Sequence, residues 1–137
     1  MSRVIAVIPA RYESSRFPGK ALADRTGRPL IVHVLQRVRQ AATVERVIVA
    51  TDDERIRAAV ERAGGDAVMT RADHPNGTSR IAEAVADLDV ALVVNVQGDE
   101  PEIDPRLIDL AVQALETNAD CPVSTVASPF AVDEDPA

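Results

Sequence analysis

Arg11, Arg16 and Lys20 crowd into the stretch ARYESSRFPGK (residues 10–20), directly after the apolar run VIAVIP. A chain that leaves a buried strand and at once presents three cations offers a place for a small anion. Backbone N–H groups of a tight loop can cradle phosphate oxygens, while Arg and Lys neutralise their charge. Pro9 and Ala10 stand at the strand end, and Ser14, Ser15 and Gly19 lie between the cations. The spacing is not that of a Walker loop, which would require Gly where Ser14 stands and Ser or Thr where Ala21 stands. Nor is it the G-x-G-x-x-G of a dinucleotide fold. The competing reading is an ordinary solvated loop.

A second constellation, NVQGDEP, places Gln97, Gly98 and Asp99 immediately after another apolar run. A carboxylate facing a triphosphate suits Mg2+, which takes one or two carboxylates with phosphate oxygens and water. A turn or cap role competes for Asp99, although Asp104 suits a cap better. A third, TRADHPNGTSR, holds Arg71, Asp73, His74 and Arg80 and has the length and polarity to wrap a base edge and ribose. For His74 alone, a satisfied loop histidine is the preferred reading. The ATDDE stretch reads as helix capping.

Composition narrows the classes. The formal net charge is -7, which opposes general binding of nucleic acid or anionic membrane. Aromatics are 2% with no Trp, too few for stacking platforms. The single Cys121 excludes an internal disulfide or thiolate cluster, and two His make a histidine metal site improbable. The N-terminus resembles a signal peptide only superficially, because its short apolar stretch runs into charged residues. No run approaches the ~20 apolar residues of a membrane span. A soluble, cytoplasmic protein is the expectation.

The elements that must position these residues alternate. Strands are expected at residues 4–8, 46–52, 66–70, 90–96 and 122–128. Between them, helical periodicity puts Leu30, Ile31, Val34, Leu35 and Val38 on one face. A helix capped by Asp52 or Asp53 stops at Gly64 or Gly65. Another opens at Thr78 or Ser79 with Ile81, Ala82, Val85 and Leu88 inward, and Asp104-Pro105 starts the last, with Leu107, Ile108, Ala111, Val112 and Leu115 inward. Strands apolar on both faces belong in a parallel sheet covered on each side. The fold class is therefore α/β, a doubly wound, mostly parallel, Rossmann-like sheet in one nucleotide-binding domain over residues 1–137. Its ligand edge selects residues 9–20, 51–54, 71–80 and 97–101. The polar tail after the fifth strand, with no closing helix, suggests an architecture incomplete at the C-terminus.

Taken in order, IPARYESSRFPGK, PLIVHVLQR, VIVATDDE, TRADHPNGTSR and NVQGDEP closely resemble the CMP-Kdo synthetases, bacterial 3-deoxy-manno-octulosonate cytidylyltransferases, across essentially the whole chain. The resemblance implies a nucleotide-diphospho-sugar transferase fold and transfer of CMP from CTP to the anomeric hydroxyl of Kdo, with pyrophosphate released, for lipopolysaccharide synthesis. It implies Arg11 and Lys20 on the triphosphate, with Pro9, Ala10 and Gly98 also lining the CTP site. Arg16 and Gln97 would lie towards the sugar and α-phosphate, Arg71, Asp73 and Arg80 near the nucleoside, and Asp99 on Mg2+. CTP and Kdo would be the partners, and a homodimer the state of a full-length protein. Members of that family are roughly twice this long, so the chain is expected to be an N-terminal half with little activity alone. Two alternatives stand beside this: a related cytidylyltransferase for another acid sugar (amino-Kdo or sialic acid), and a non-catalytic receiver-like α/β signalling domain. The second is disfavoured because receivers carry acids where this chain has Pro9-Ala10-Arg11.

Overall fold

A computed structural model describes residues 3–13 and 18–127. Strand β1 (Val4–Ala10) leads through a short 3-10 turn (Lys20–Leu22) into helix α1 (Leu30–Val38). Then follow β2 (Arg46–Thr51), α2 (Glu54–Arg62), β3 (Asp66–Met69), α3 (Gly77–Val85), β4 (Leu92–Asn95) and α4 (Pro105–Thr117). The four strands form one parallel sheet in the order β3-β2-β1-β4.

The period-two alternation of β1 explains the layers. Ala6, Ile8 and Ala10 point into a core built with Ile31, Val34 and Leu35 of α1, Ile56 and Val60 of α2, and Ile108 of α4. Ile5 and Val7 point the other way, into a smaller core with Ile48 and Ala50 of β2 and Ile81 and Ala84 of α3. A strand sandwiched this way must be apolar at every position, as β1 is. Chain order reverses between β1 and β4, because successive units step outward from β1 to β2 to β3 before the chain returns. In such sheets ligands bind beyond the strand C-termini at that reversal.

Several expectations require correction. Residues 122–127 form no strand; Ser124 Oγ instead donates to the Ala111 carbonyl at 2.7 Å, tying the segment to α4, while Val123 stays 77% exposed. Residue 128 lies outside the described residues. β4 is shorter than residues 90–96 and only partly covered: Val93, paired with Ile5, is exposed, because the smaller core is built on β1, β2 and α3. The third helix begins at Gly77, one or two residues earlier than expected, capped by Asn76, whose side-chain oxygen accepts from the Ser79 N–H at 2.8 Å. Of the residues expected inward, Ile81 is buried and Val85 and Leu88 pack against the smaller core, whereas Ala82 is exposed; Arg80 and Ala84 are buried in addition. On α4 only Ile108 and Val112 are buried, and Leu107 is exposed. The caps at Asp53 and Asp104, the latter followed by Pro105 in the first turn, form as expected.

Candidate functional site

The loops after the four strands emerge at one edge of the parallel sheet, and Pro9 is where three of them converge. A Cβ on Gly77, at the start of α3, would lie 3.1 Å from Pro9 Cγ. A Cβ on Gly98, after β4, would lie 3.2 Å from the Pro9 carbonyl oxygen. Both loops therefore pass the end of β1 at a distance that favours the lack of a side chain. Ala10, the last residue of β1, is buried below them in the main core.

Lys20 opens the 3-10 turn, and its Nζ stands 3.6 Å from Asp99 Oδ2. The loops after β1 and β4 are thus brought face to face, cation against carboxylate, at the reversal of strand order. Arg11 is exposed just past β1, and Gln97 is exposed with its Nε2 donating to Asn95 Oδ1 at 3.3 Å. Arg16, with Ser14 and Ser15, lies outside the described residues.

Arg71 and Asp73 are exposed and pair with each other at 3.4 Å. Arg80 differs: it is only 4% exposed, and its Nη1 donates to Thr70 Oγ1 at 2.6 Å and to the Arg71 carbonyl at 3.0 Å. Its immediate task is to hold the loop that carries Arg71 and Asp73. The other side of that loop is tied by His74, whose Nδ1 lies 3.1 Å from Ser79 Oγ and Nε2 2.9 Å from Glu83 Oε1. Glu83 also accepts from the Arg71 N–H. The His74 hydrogen bond, then that backbone bond, lower the Glu83 carboxyl below its ordinary value. His74 is thus a satisfied loop histidine, as the sequence suggested.

After β2, Asp53 caps α2 by accepting from the Arg55 and Ile56 N–H groups, and it accepts two further bonds from the Arg55 side chain at 3.1 and 2.8 Å. The side-chain bond to Arg55 is the chief reason its carboxyl is lowered. Arg55 in turn stacks on Tyr12, its guanidinium carbon 3.5 Å from the ring centroid. Sequence reasoning gave no role to Tyr12 or Arg55, nor a close approach to Gly77. The D-x-R at a helix start, which recurs as Asp104 and Arg106, was a signal that Arg55 would be held in place; its stacking partner had none.

The donors present can be weighed against Mg2+. Among the described residues no cluster of three or more His, Cys, Asp or Glu is placed to hold a metal. Asp99, exposed and turned toward the cationic loop, fits the single-carboxylate form in which Mg2+ is held mostly by a nucleotide and water. A groove of about 550 Å3 along β4 and α4 reaches Gln97 and Glu100 at one end but is otherwise mostly apolar.

A family model described as Cytidylyltransferase matches residues 5–135. The chain belongs to the cytidylyltransferase family. That membership removes the receiver-like alternative. Among curated relatives of this cytidylyltransferase chain, the 3-deoxy-manno-octulosonate cytidylyltransferase of Syntrophobacter fumaroxidans is 53% identical over 93% of this chain and 52% of its own length. The one from Escherichia coli is 47% identical over 92% of this chain and 51% of its own. The chain therefore spans about half the length of the curated relatives it matches. Among solved structures, a CMP:2-keto-3-deoxy-manno-octonic acid synthetase complexed with CTP superposes with a TM-score of 0.85 at 46% identity, covering 88% of this chain and 50% of that one. A cytidylyltransferase from Leptospira borgpetersenii gives 0.75 at 25% identity, over 88% of this chain and 51% of its own. The parallel α/β fold is that of these nucleotidyltransferases. Among the described residues, no helix is long and apolar enough to cross a membrane.

Proposed function

We propose that this chain carries the CTP-binding part of a 3-deoxy-manno-octulosonate cytidylyltransferase. The observation that carries the reading is the meeting of Lys20 with Asp99 at the reversal of strand order, where a parallel sheet binds its ligand. The names of the relatives supply CTP and Kdo; the geometry supports an anion beside Lys20, on the side facing Asp99.

In the proposed reaction the anomeric hydroxyl of Kdo attacks the α-phosphorus of CTP. The new O–P bond forms as the bond to the β-phosphate bridging oxygen breaks, pyrophosphate leaves, and the hydroxyl proton is lost. Such a transfer requires positioning and charge neutralisation more than a strong base. Lys20 and Arg11 neutralise the triphosphate. Gln97, beside the close approach of Gly98 to Pro9, donates toward the α-phosphate, and Arg16 is assigned toward the sugar. Arg71 and Asp73 face the nucleoside, in a loop that Arg80 holds. Asp99 would hold Mg2+, which when bound supplies charge neutralisation on the phosphate oxygens. A cytoplasmic setting and a homodimeric full-length protein, binding neither nucleic acid nor membrane, belong to the same proposal.

Calorimetric titration with each nucleoside triphosphate in the presence of Mg2+ tests the reading. CTP should bind tightest; tighter binding of ATP or GTP would overturn it.

A further inference from the structure

The loop after β1 is closed at its neck by a hydrogen bond from the Gly19 N–H to the Tyr12 carbonyl at 2.8 Å. Gly19 has φ 74, and a Cβ there would lie 3.0 to 3.1 Å from Cε2, Cζ and the hydroxyl oxygen of Tyr12. The ring therefore rests directly on Gly19, in a conformation that side-chain-bearing residues avoid. The next residue is Lys20. The same ring also carries the Arg55 guanidinium at 3.5 Å from its centroid, and Arg55 is fixed by its two side-chain bonds to the α2 cap Asp53. A chain of direct contacts thus runs from α2 through Asp53, Arg55, Tyr12 and Gly19 to the cation facing Asp99.

We propose that Tyr12 and Arg55 are positioning residues for Lys20, the Arg55 guanidinium clamping the Tyr12 ring and the ring fixing Gly19 and the cation after it. This rests on the assignment of Lys20 to the triphosphate made above. A planar guanidinium over an aromatic face is attractive, and its fork on a carboxylate holds it there with little freedom to lose. Lysine in its place would keep the charge but neither the plane nor the fork. The Tyr12 hydroxyl oxygen also lies against Gly19, so phenylalanine should keep the ring's part of the contact and lose the hydroxyl's.

Tyr12 is the sole tyrosine in a chain without tryptophan, so intrinsic fluorescence reports on this ring alone. Inorganic tripolyphosphate is the probe, since it does not absorb where tyrosine does. In Arg55→Ala without ligand, acrylamide should quench Tyr12 more strongly than in the wild type. Tripolyphosphate should bind about three- to tenfold more weakly, the scale of a lost cation–π contact. Lys20→Ala should weaken binding by itself, and Arg55→Ala should add nothing in that background, because Arg55 acts through Lys20. By calorimetry, Tyr12→Leu should lose more affinity than Tyr12→Phe, which keeps the ring, with circular dichroism intact in both.

Wild-type affinity in Arg55→Ala, or effects of Arg55→Ala and Lys20→Ala that simply add, would overturn the proposal. So would Tyr12→Leu binding like the wild type. If Lys20→Ala binds tripolyphosphate as well as the wild type does, the Lys20 assignment fails and the positioning role fails with it. The quenching comparison then separately decides whether the clamp itself exists.

Discussion

Lys20 Nζ and Asp99 Oδ2 stand 3.6 Å apart, on loops that follow β1 and β4, the two strands flanking the reversal of sheet order. Their side chains are 47% and 57% exposed, and an ion pair so wet is worth about 0–1 kcal/mol of stability. Fold maintenance is a weak reason for such a pair. A phosphate for the cation and Mg2+ for the carboxylate is a stronger one.

Separating the pair tests this. Lys20→Ala should weaken CTP binding by about 1–3 kcal/mol, the scale of a charge-assisted hydrogen bond, with little change in melting temperature. Asp99→Asn should reduce the Mg2+ dependence of binding instead. Unfolding of either variant in circular dichroism would make that residue structural.

Arg71 and Arg80 should separate in the opposite manner. Arg80→Met removes the buried bonds to Thr70 Oγ1 and the Arg71 carbonyl, and should cost about 1–3 kcal/mol of stability. Arg71→Ala removes an exposed side chain and should stay within about 0.5 kcal/mol in denaturant titration while weakening CTP binding. Equal stabilities would mean that Arg80 does not hold the loop.

Gly98→Ala brings a methyl to 3.2 Å from the Pro9 carbonyl oxygen, which is backbone and cannot rotate away. The cost should be about 1 kcal/mol, the low end for overpacking, with CTP affinity reduced because the loops after β1 and β4 must separate. Unchanged affinity would show that this approach does not set the site.

Acid should act on the α4 cap. The side-chain hydrogen bond from Arg106, then the Arg106 backbone N–H, lower the Asp104 carboxyl from 3.8 to about 2. A carboxyl lowered in the folded state contributes stability that is fully present above 3.8 and lost as pH falls toward about 2. Asp104→Asn can still cap but no longer titrates there. Its melting temperature should fall less steeply than the wild type's across that window, and parallel curves would assign the acid loss to other groups.

Much of the fold was readable in the sequence alone, because its decisive signals are local. The apolar run of β1, the period of α1, and Asp53 and Asp104 as caps all lie within a few residues of their consequences. The rule that parallel sheets bind ligands beyond their strand C-termini selected, from element order alone, loops that the fold brings together at one sheet edge. The tertiary structure decided what depends on distant segments meeting. It set Lys20 against Asp99, put the Arg55 guanidinium on the Tyr12 ring, and brought Gly77 and Gly98 against Pro9. It also buried Arg80, whose guanidinium finds its partners at Thr70 Oγ1 and the Arg71 carbonyl, on the segment before α3. The strand expected from residue 122 did not form for a related reason. β-branched composition favours an extended strand only where a neighbouring edge is within reach, and Ser124 is tied to α4 instead.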